Sequence, residues 1–255
     1  MKAVVLAAGY ATRLRPLTDT WAKELLPVGG RPIVDWILDA IAGVDGIDSV
    51  HLVTNHRKAP AFRDWAEGRG VELHDDGTSS NDDRLGAIGD LRFVVEQASL
   101  DDDLLVIAGD NLFDFSLADY VSFWRERGGP ASAVAVRDVG SLELAAHYGI
   151  VALDGDSRVV DFVEKPADPP STLAATATYL YDRSHVGLLD EYLAGGHSSD
   201  QPGRFVEWLC RREPVYGWQF EGAWYDIGDA EQLLVADNRL RAEQGLPVRA
   251  AYTPD

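Results

Sequence analysis

Apolar and polar residues follow two different periods along residues 1–130 of this chain. Short apolar runs bounded by polar residues predict buried strands, and apolar residues that recur every three or four positions predict amphipathic helices. The predicted strands cover residues 4–6, 49–54, 71–74 and 104–108. The predicted helices cover residues 34–41, 59–69, 85–95 and 117–127. Because strands and helices alternate, we expect a mostly parallel sheet with helices on both faces.

Residues 131–245 have shorter links between their apolar segments. The predicted strands here cover residues 132–136, 148–153, 159–163, 174–181 and 215–221. The predicted helices lie near residues 186–193, 204–211 and 230–243. No stretch rich in Pro, Gly or Ser separates this half from the first half. We therefore expect a single domain over residues 1–245, with halves at 1–130 and 131–245, followed by a short, loose tail at 246–255.

The composition limits the classes to which the protein can belong. The chain has 255 residues, of which 46% are hydrophobic, so it can bury a full core, and no apolar run is long enough to cross a membrane. A net charge of −19 argues against nucleic acid or a membrane surface as a partner. Cys210 is the only cysteine, which excludes an intrachain disulfide and fits a cytoplasmic location. No cleavage site follows the first residues, so we expect no signal peptide.

The richest chemical signal lies at residues 1–32. A strand at residues 4–6 runs directly into the small residues of the segment AAG at 7–9. Such a turn leaves backbone N–H groups free to face an anion. Arg13, Arg15 and Lys23 follow within a short distance along the chain. Free N–H groups surrounded by three cations predict a site that holds a triphosphate.

The segments LAAGYATRLRPLT and KELLPV resemble the N-terminal signature of the sugar-phosphate nucleotidyltransferases, the family of glucose-1-phosphate thymidylyltransferases and NDP-sugar pyrophosphorylases. The resemblance implies a Rossmann-like, three-layer α/β/α fold with a mixed sheet and a sugar-binding lobe. Residues 1–130 would bind the nucleotide and residues 131–245 the sugar phosphate. Ala11 stands where the family has its second glycine. We expect either an unstrained backbone angle at Ala11 or a slightly shifted loop.

Two carboxylates are the candidate metal ligands. Asp110 follows the apolar run LLVIAG, and a carboxylate at the end of a buried strand can bind Mg²⁺ with little rearrangement. The segments around Asp110 and Asp226 resemble the G-D-N and W-x-D-x-G segments of the family. The resemblance implies that both aspartates hold Mg²⁺, the cofactor. A turn residue at Asp110 and a solvated residue at Asp226 are the alternatives.

The same resemblance assigns roles to residues that contact the substrates. Arg13 would stabilise the departing pyrophosphate, Lys23 would bridge the two phosphates, and Lys165 in FVEKP would orient the sugar phosphate. The other implied substrate-binding residues are Leu6, Ala8, Gly9, Gly86, Asn111, Gly149, Glu164, Thr176 and Tyr179. Glu164 would contact the sugar hydroxyls. For Thr176 and Tyr179, packing in the core is an equal alternative.

The reaction implied by the resemblance joins a nucleoside triphosphate to a sugar 1-phosphate and releases pyrophosphate. We favour dTTP or UTP and glucose 1-phosphate. Residues 81–91 stand where the family has its base-recognition region, but they and residues 201–206 depart from the family pattern. Two alternatives remain open: a cytidylyltransferase for phosphocholine or a phosphonate, and a non-catalytic regulatory subunit that binds nucleotide sugars. We expect a monomer or a homodimer. The six histidines show no paired spacing typical of metal ligands.

Overall fold

The computed structural model describes residues 1–254, and it has a strand at each apolar run predicted above, although the predicted 148–153 begins one residue too early and 215–221 ends two residues too late. The strands are β1 (Lys2–Ala7), β2 (Pro27–Val28), β3 (Arg31–Pro32), β4 (Ser49–Thr54), β5 (Val71–Asp75), β6 (Leu104–Ala108), β7 (Asn111–Phe113), β8 (Ser132–Asp138), β9 (Gly149–Leu153), β10 (Val159–Glu164), β11 (Leu173–Tyr181), β12 (Val215–Gln219) and β13 (Trp224–Asp226). The helices are α1 (Leu17–Thr20), α2 (Ile33–Ala42), α3 (Ala59–Ala66), α4 (Ala87–Gln97), α5 (Leu117–Arg127), α6 (Leu142–Ala145), α7 (Arg183–Val186), α8 (Leu189–Ala194), α9 (Pro202–Leu209) and α10 (Ala230–Glu243). Single 3₁₀ turns lie at Thr12–Leu14 and Lys23–Leu25.

Within residues 1–254, nine strands form one mixed sheet. Seven of them follow the order β10-β9-β11-β6-β1-β4-β5, while β8 pairs with β11 and β12. The neighbours β6, β1, β4 and β5 are parallel, as alternation of strands and helices requires. β11 runs antiparallel to β6, β8 and β9, so it joins the two halves of the chain in one sheet.

The sheet is buried on both faces because successive strand residues point to opposite sides. Val4 packs in a cluster with residues of α4, α8 and α9. Val5, the next residue, packs in a second cluster with residues of α2, α3 and α5. The predicted α/β class with three layers and a mixed sheet is therefore confirmed. No helix among the described residues is long and apolar enough to span a membrane.

Some helix bounds differ from the prediction, and glycines explain most of the differences. The helix predicted from residue 85 begins at Ala87, because Gly86 has a φ of 79° that a helix cannot accommodate. The helix predicted over 59–69 ends at Ala66, and Gly68 and Gly70 follow with positive φ angles. The segment predicted as one helix near 186–193 is divided into α7 and α8 at Gly187.

The last residues contact the rest of the protein, although the sequence predicted a loose tail. The Tyr252 hydroxyl donates a hydrogen bond of 2.8 Å to the backbone oxygen of Pro27. Asn238 on α10 exchanges two hydrogen bonds, of 2.8 and 2.6 Å, with the backbone of Arg249. Asp255, the final residue of the predicted tail, lies outside the described residues.

Candidate active site

The loop after β1 presents backbone donors at the carboxyl edge of the parallel strands. Within residues 1–254, the N–H groups of Gly9, Tyr10 and Ala11 donate no hydrogen bond. The buried side chain of Asn55, directly after β4, holds the loop through a 3.0 Å hydrogen bond to the oxygen of Ala8. A Cβ atom at Gly9 would meet nothing within 4 Å. The side chain of Asn55 therefore fixes the loop, while the space beside Gly9 stays open, as an anion-binding loop requires.

The backbone angles of Ala11 show which conformation the loop adopts where the family has its second glycine. Its φ of 45° and ψ of 44° lie in the left-handed region, so the expectation of an unstrained backbone angle is wrong. The left-handed conformation costs a residue with a Cβ atom about 1–2 kcal/mol. The Thr18 hydroxyl stabilises this conformation by donating a 2.9 Å hydrogen bond to the oxygen of Ala11. The loop thus keeps the turn that a glycine would adopt, at a cost in strain.

Asp110 and Asp226 are brought together by a small two-stranded sheet. β7 pairs antiparallel with β13, and the register places Asp226 opposite Asn111. The backbone N–H of Ile227 donates a 3.1 Å hydrogen bond to the oxygen of Asp110. Asn111, which is buried, donates through Nδ2 to the Asp110 carboxylate at 3.0 Å. Asn111 is therefore placed to orient Asp110.

Lys23 forms an ion pair with Asp110, in which Nζ donates to Oδ2. Burial opposes a charged Lys23, but Asp110, Glu24 and Asp226 outweigh it and raise the Lys23 pKa. Glu24, which was not among the predicted site residues, is buried and lines the same cleft as Lys23 and Asp110. Burial raises the pKa of Glu24 to about 7, and Lys23 opposes that rise. The only sequence signal for Glu24 is its position next to Lys23 in the signature.

The pKa of Asp226 is affected by every charged side chain that was predicted to lie in the catalytic centre. Burial and the neighbouring Asp110 raise the pKa of Asp226 to about 6. Lys23, Lys165 and Arg13 act in the opposite direction. The structure thus brings the three predicted catalytic cations near the two predicted metal ligands. Such an accumulation of charge in one cleft is typical of a functional site.

The side chains of Arg13 and Lys165 carry positive charges that no carboxylate of the described residues pairs with. Both side chains are exposed and form no ion pair or side-chain hydrogen bond within residues 1–254. The guanidinium of Arg13 lies beside Gly228, where a Cβ atom would come within 2.9 Å of it. Lys165 follows β10 with a left-handed φ of 48°. A strained residue next to a cluster of charges indicates a functional constraint.

The donor set at Asp110 and Asp226 fits a hard divalent cation. Both side chains offer carboxylate oxygens, the ligands that Mg²⁺ prefers, and burial together with the charge of Asp110 raises the pKa of Asp226, so added positive charge is favourable here. Lys23 supplies part of that charge. A divalent cation bound by the two carboxylates would supply the rest.

One end of the cleft is lined by residues of the predicted base-recognition region. The cleft has a volume of about 290 Å³ and extends from Ala8 and Gly9 to Gly86 and Asp200. A Cβ atom at Gly86 would lie 2.6 Å from the backbone of Asp200, so the close approach of that segment requires the glycine. Leu6 also lines this cleft.

The first two N–H groups of α4 are not free to bind a phosphate. Ala87 and Ile88 donate to the backbone oxygens of Asp200 and Ser199 at 3.2 and 2.8 Å. Arg84 reinforces this contact through a 2.9 Å hydrogen bond to the Asp200 carboxylate. The two halves of the chain therefore meet at this end of the cleft.

A pair of carboxyl groups lies beneath the same end of the cleft. Burial and the neighbouring Asp76 raise the pKa of Asp90 to about 8, so the pair shares a proton at neutral pH. Asp76 also accepts hydrogen bonds from the backbone N–H and the hydroxyl of Thr78, at 2.7 and 2.8 Å. The Tyr10 hydroxyl lies 2.9 Å from the Thr78 hydroxyl. This network links the loop after β1 to the base-recognition region.

Glu164, which is predicted to contact the sugar hydroxyls, lies at the end of β10. Glu164 is 7% exposed, and burial raises its pKa against the opposing charges of Lys165 and Arg204. Glycines leave it room on two sides. A Cβ atom at Gly149 would lie 2.9 Å from Oε2 of Glu164, and one at Gly203 would lie 1.9 Å from the same atom. Gly203 is a functional candidate that the sequence analysis missed.

Thr176 and Tyr179 lie in the core of β11. Thr176 is fully buried, and its hydroxyl donates a 3.0 Å hydrogen bond to the oxygen of Ala135. Tyr179 is 2% exposed and stacks on Tyr181. These positions favour the core-packing alternative for both residues. They support the sheet behind Glu164.

A larger cavity lies away from all of these residues. It has a volume of about 560 Å³ and lies between α2 and the strands β4 and β5, with Asp35 and Arg69 in its lining. None of the predicted site residues lines it. The smaller cleft is the candidate active site because Lys23 and Asp110 line it together with Glu24 and Asp90, two carboxyl groups with raised pKa values.

The comparison with known families agrees with the fold and with this arrangement of residues. The chain belongs to the nucleotidyl transferase family, whose model matches residues 2–243. The predicted resemblance is confirmed at the level of the family.

The relatives carry the names of enzymes that act on different nucleotides and sugars. A putative mannose-1-phosphate guanyltransferase of Sulfolobus acidocaldarius is 30% identical over 232 residues, which cover 89% of this chain and 60% of the relative. A UTP–glucose-1-phosphate uridylyltransferase of Haloferax volcanii is 27% identical, covering 95% of this chain and 98% of the relative. The chain spans only 54–62% of the length of several other curated relatives.

Solved structures show the same fold. A putative glucose-1-phosphate thymidylyltransferase of Bacillus anthracis superposes with a TM-score of 0.81, at 24% identity, over 94% of this chain and 95% of that chain. At this identity the likeness shows the fold, including the Rossmann-like mixed sheet. It does not choose a substrate.

Proposed function

We propose that the protein is a Mg²⁺-dependent nucleotidyltransferase that joins a nucleoside triphosphate to a sugar 1-phosphate. One observation carries the proposal: Lys23 pairs with Asp110, and Arg13, Lys23 and Lys165 all lie near enough to Asp226 to oppose the rise of its pKa that burial and Asp110 cause. A reaction between two phosphate groups needs such cations, because the reactants repel each other. Mg²⁺ held by the two aspartates would supply further positive charge at the α-phosphate.

In this proposal each residue of the site has a defined task. The N–H groups after β1 bind the triphosphate, and Lys165 orients the sugar phosphate. An oxygen of the sugar phosphate attacks the α-phosphorus, and the bond from that phosphorus to the departing pyrophosphate breaks. Lys23 bridges the two reactants and Arg13 stabilises the pyrophosphate. The attacking phosphate is already ionised at neutral pH, so no strong general base is needed.

We favour dTTP or UTP and glucose 1-phosphate as substrates. The name of the full-length relative from Haloferax volcanii supports UTP and glucose 1-phosphate. We further propose a single domain over residues 1–245, a cytoplasmic location and a monomeric or homodimeric state. The shared sheet supports one domain, and the lone Cys210 supports the location.

The test is release of pyrophosphate with Mg²⁺, each nucleoside triphosphate in turn and a panel of sugar 1-phosphates plus phosphocholine. Activity with one pair supports the proposal and names both substrates. Activity only with CTP and phosphocholine favours the cytidylyltransferase alternative. Binding of nucleotide sugar without turnover favours the regulatory subunit.

A matched pair of variants ties the activity to the site. We expect Asp110→Asn to lower turnover about a hundredfold or more, because it removes a main electrostatic element. Asp119→Asn, which changes an exposed carboxylate on α5, is the control and should retain activity. Turnover of Asp110→Asn close to that of the control would contradict the assignment.

A further inference from the structure

Three potential metal ligands meet on one face of the strands β4 and β5. The parallel register pairs His51 with Glu72, and His74 lies two residues further along β5 on the same face. Nδ1 of His51 lies 3.1 Å from Nε2 of His74 and 3.6 Å from Oε2 of Glu72. The three ligand atoms lie within 4.8 Å of one another. Only the strand register reveals this group, because no short sequence motif connects the residues.

A hydrogen bond sets the ring of His51 for metal binding. Its Nε2 lies 2.7 Å from the hydroxyl of Ser49, which can accept the ring proton. The lone pair on Nδ1 then points to His74 and Glu72. A partner on the far nitrogen that fixes the tautomer accompanies most histidine ligands of metals.

The separation of the two ring nitrogens matches that between two ligands of one transition-metal ion. Two ligand atoms about 2.1 Å from a metal are about 3.0–3.4 Å apart at octahedral to tetrahedral angles. The distance of 3.1 Å between the two ring nitrogens lies in this range. Without metal, the Nε2 proton of His74 occupies the gap between the rings. A metal ion would replace that proton, which would move to the other nitrogen of His74.

We propose that His51, Glu72 and His74 form a site for a transition-metal ion of the Zn²⁺ class. Two imidazoles and one carboxylate favour Zn²⁺ over Mg²⁺, which prefers oxygen ligands. Glu72 is 60% exposed, so the ion can reach the site from solvent. None of the three residues lines the active-site cleft, so this site is distinct from the one at Asp110 and Asp226.

The position of the site gives the bound ion a structural role. β5 pairs only with β4 among the described strands and so forms the edge of the sheet. His74 directly precedes Asp75 and Asp76, which accept hydrogen bonds from the backbone of Gly77 and Thr78. A metal ion that joins the two strands would therefore also restrain the loop beside the nucleotide end of the cleft.

The test titrates the full chain with Zn²⁺ in the presence of excess Mg²⁺, which occupies the carboxylate site. We expect one equivalent of Zn²⁺ to bind and to raise the melting temperature. Loss of a second-shell partner typically weakens metal binding 10–100-fold, so loss of the ligand in His74→Gln should weaken it by about a hundredfold or more. Glu72→Gln, at an exposed position, should also weaken binding without disturbing the core.

His197→Gln is the matched control, because His197 is an exposed histidine outside the cluster. It should bind Zn²⁺ as the wild type does. Equal Zn²⁺ affinity in wild type, His74→Gln and Glu72→Gln would overturn the proposal, and so would a wild type that binds no Zn²⁺ under these conditions. Binding is read by calorimetry and by absorption of Co²⁺ as a substitute ion. Neither readout depends on the proposed enzymatic activity.

Discussion

Gly203→Ala isolates the contribution of the Glu164 position to sugar binding. Gly203 is the second residue of α9, and its Cβ atom would lie 1.9 Å from Oε2 of Glu164 and 3.0 Å from Phe162. An ordinary contact between heavy atoms is about 3.5 Å, so the carboxylate must move by more than about 1 Å. Glu164 is 7% exposed, which leaves it little room to move elsewhere.

Gly203→Ala is expected to lower activity toward the sugar 1-phosphate only. A displacement of about 1 Å at a positioned group can lower activity about a hundredfold. We therefore expect kcat/KM for the sugar 1-phosphate to fall about a hundredfold, while the nucleoside triphosphate binds unchanged. Alanine is favoured over glycine inside a helix by up to about 1 kcal/mol, which partly offsets the steric cost in stability. The variant should therefore remain folded.

The assay measures pyrophosphate release at varied sugar 1-phosphate, together with nucleotide binding by calorimetry and thermal unfolding. Gly155→Ala is the control, because a Cβ atom at Gly155 meets nothing within 4 Å. In a Glu164→Ala background, the change at Gly203 should have no further effect, since the crowded carboxylate is gone. A Gly203→Ala variant with the kcat/KM of the wild type would refute the reasoning.

Two further predictions concern stability. The pKa of Asp90 is about 8 in the folded protein and 3.8 in an ordinary aspartate. Between pH 3.8 and about pH 8 the folded state therefore holds one more proton than the unfolded state. The free energy of unfolding consequently falls as the pH rises through this range. Asp90→Asn should remove this fall and be more stable than wild type at pH 9 in urea unfolding, by more than about 1.4 kcal/mol; an equally steep fall would contradict the assignment. Ala11→Gly should raise stability by about 1 kcal/mol by relieving the left-handed strain, measured in the same way, and a loss of stability would count against it.

Local patterns were sufficient to predict the sheet and its helices. The central strands β1, β4 and β6 are continuous apolar runs because both faces of the sheet are covered. The signature residues could likewise be placed from the sequence, since Lys23 and Asp110 stand in long, recognisable segments. Their convergence followed from the resemblance and not from any local pattern.

Contacts between distant segments could not be predicted from the sequence. β7 and β13 have three residues each, too few for any period to appear. The proton shared by Asp76 and Asp90 depends on burial, which the sequence DDGTSSNDD does not reveal. The approach of His51 to His74 depends on the register of two parallel strands. In each case the tertiary structure, and not the local sequence, determines the chemistry.

The pairing of β7 with β13 also has a consequence for the biosynthesis of the protein. The indole N–H of Trp224 on β13 donates a hydrogen bond to the side-chain oxygen of Asn111, which lies 113 residues earlier in the sequence. A nascent chain therefore carries Asp110 without Asp226 until residue 226 has been added. Contacts of such long range form late, because most of the chain must be ordered first. A ribosome-bound fragment would hold the signature loop but no complete catalytic centre, so activity would begin only after β13 has left the ribosome.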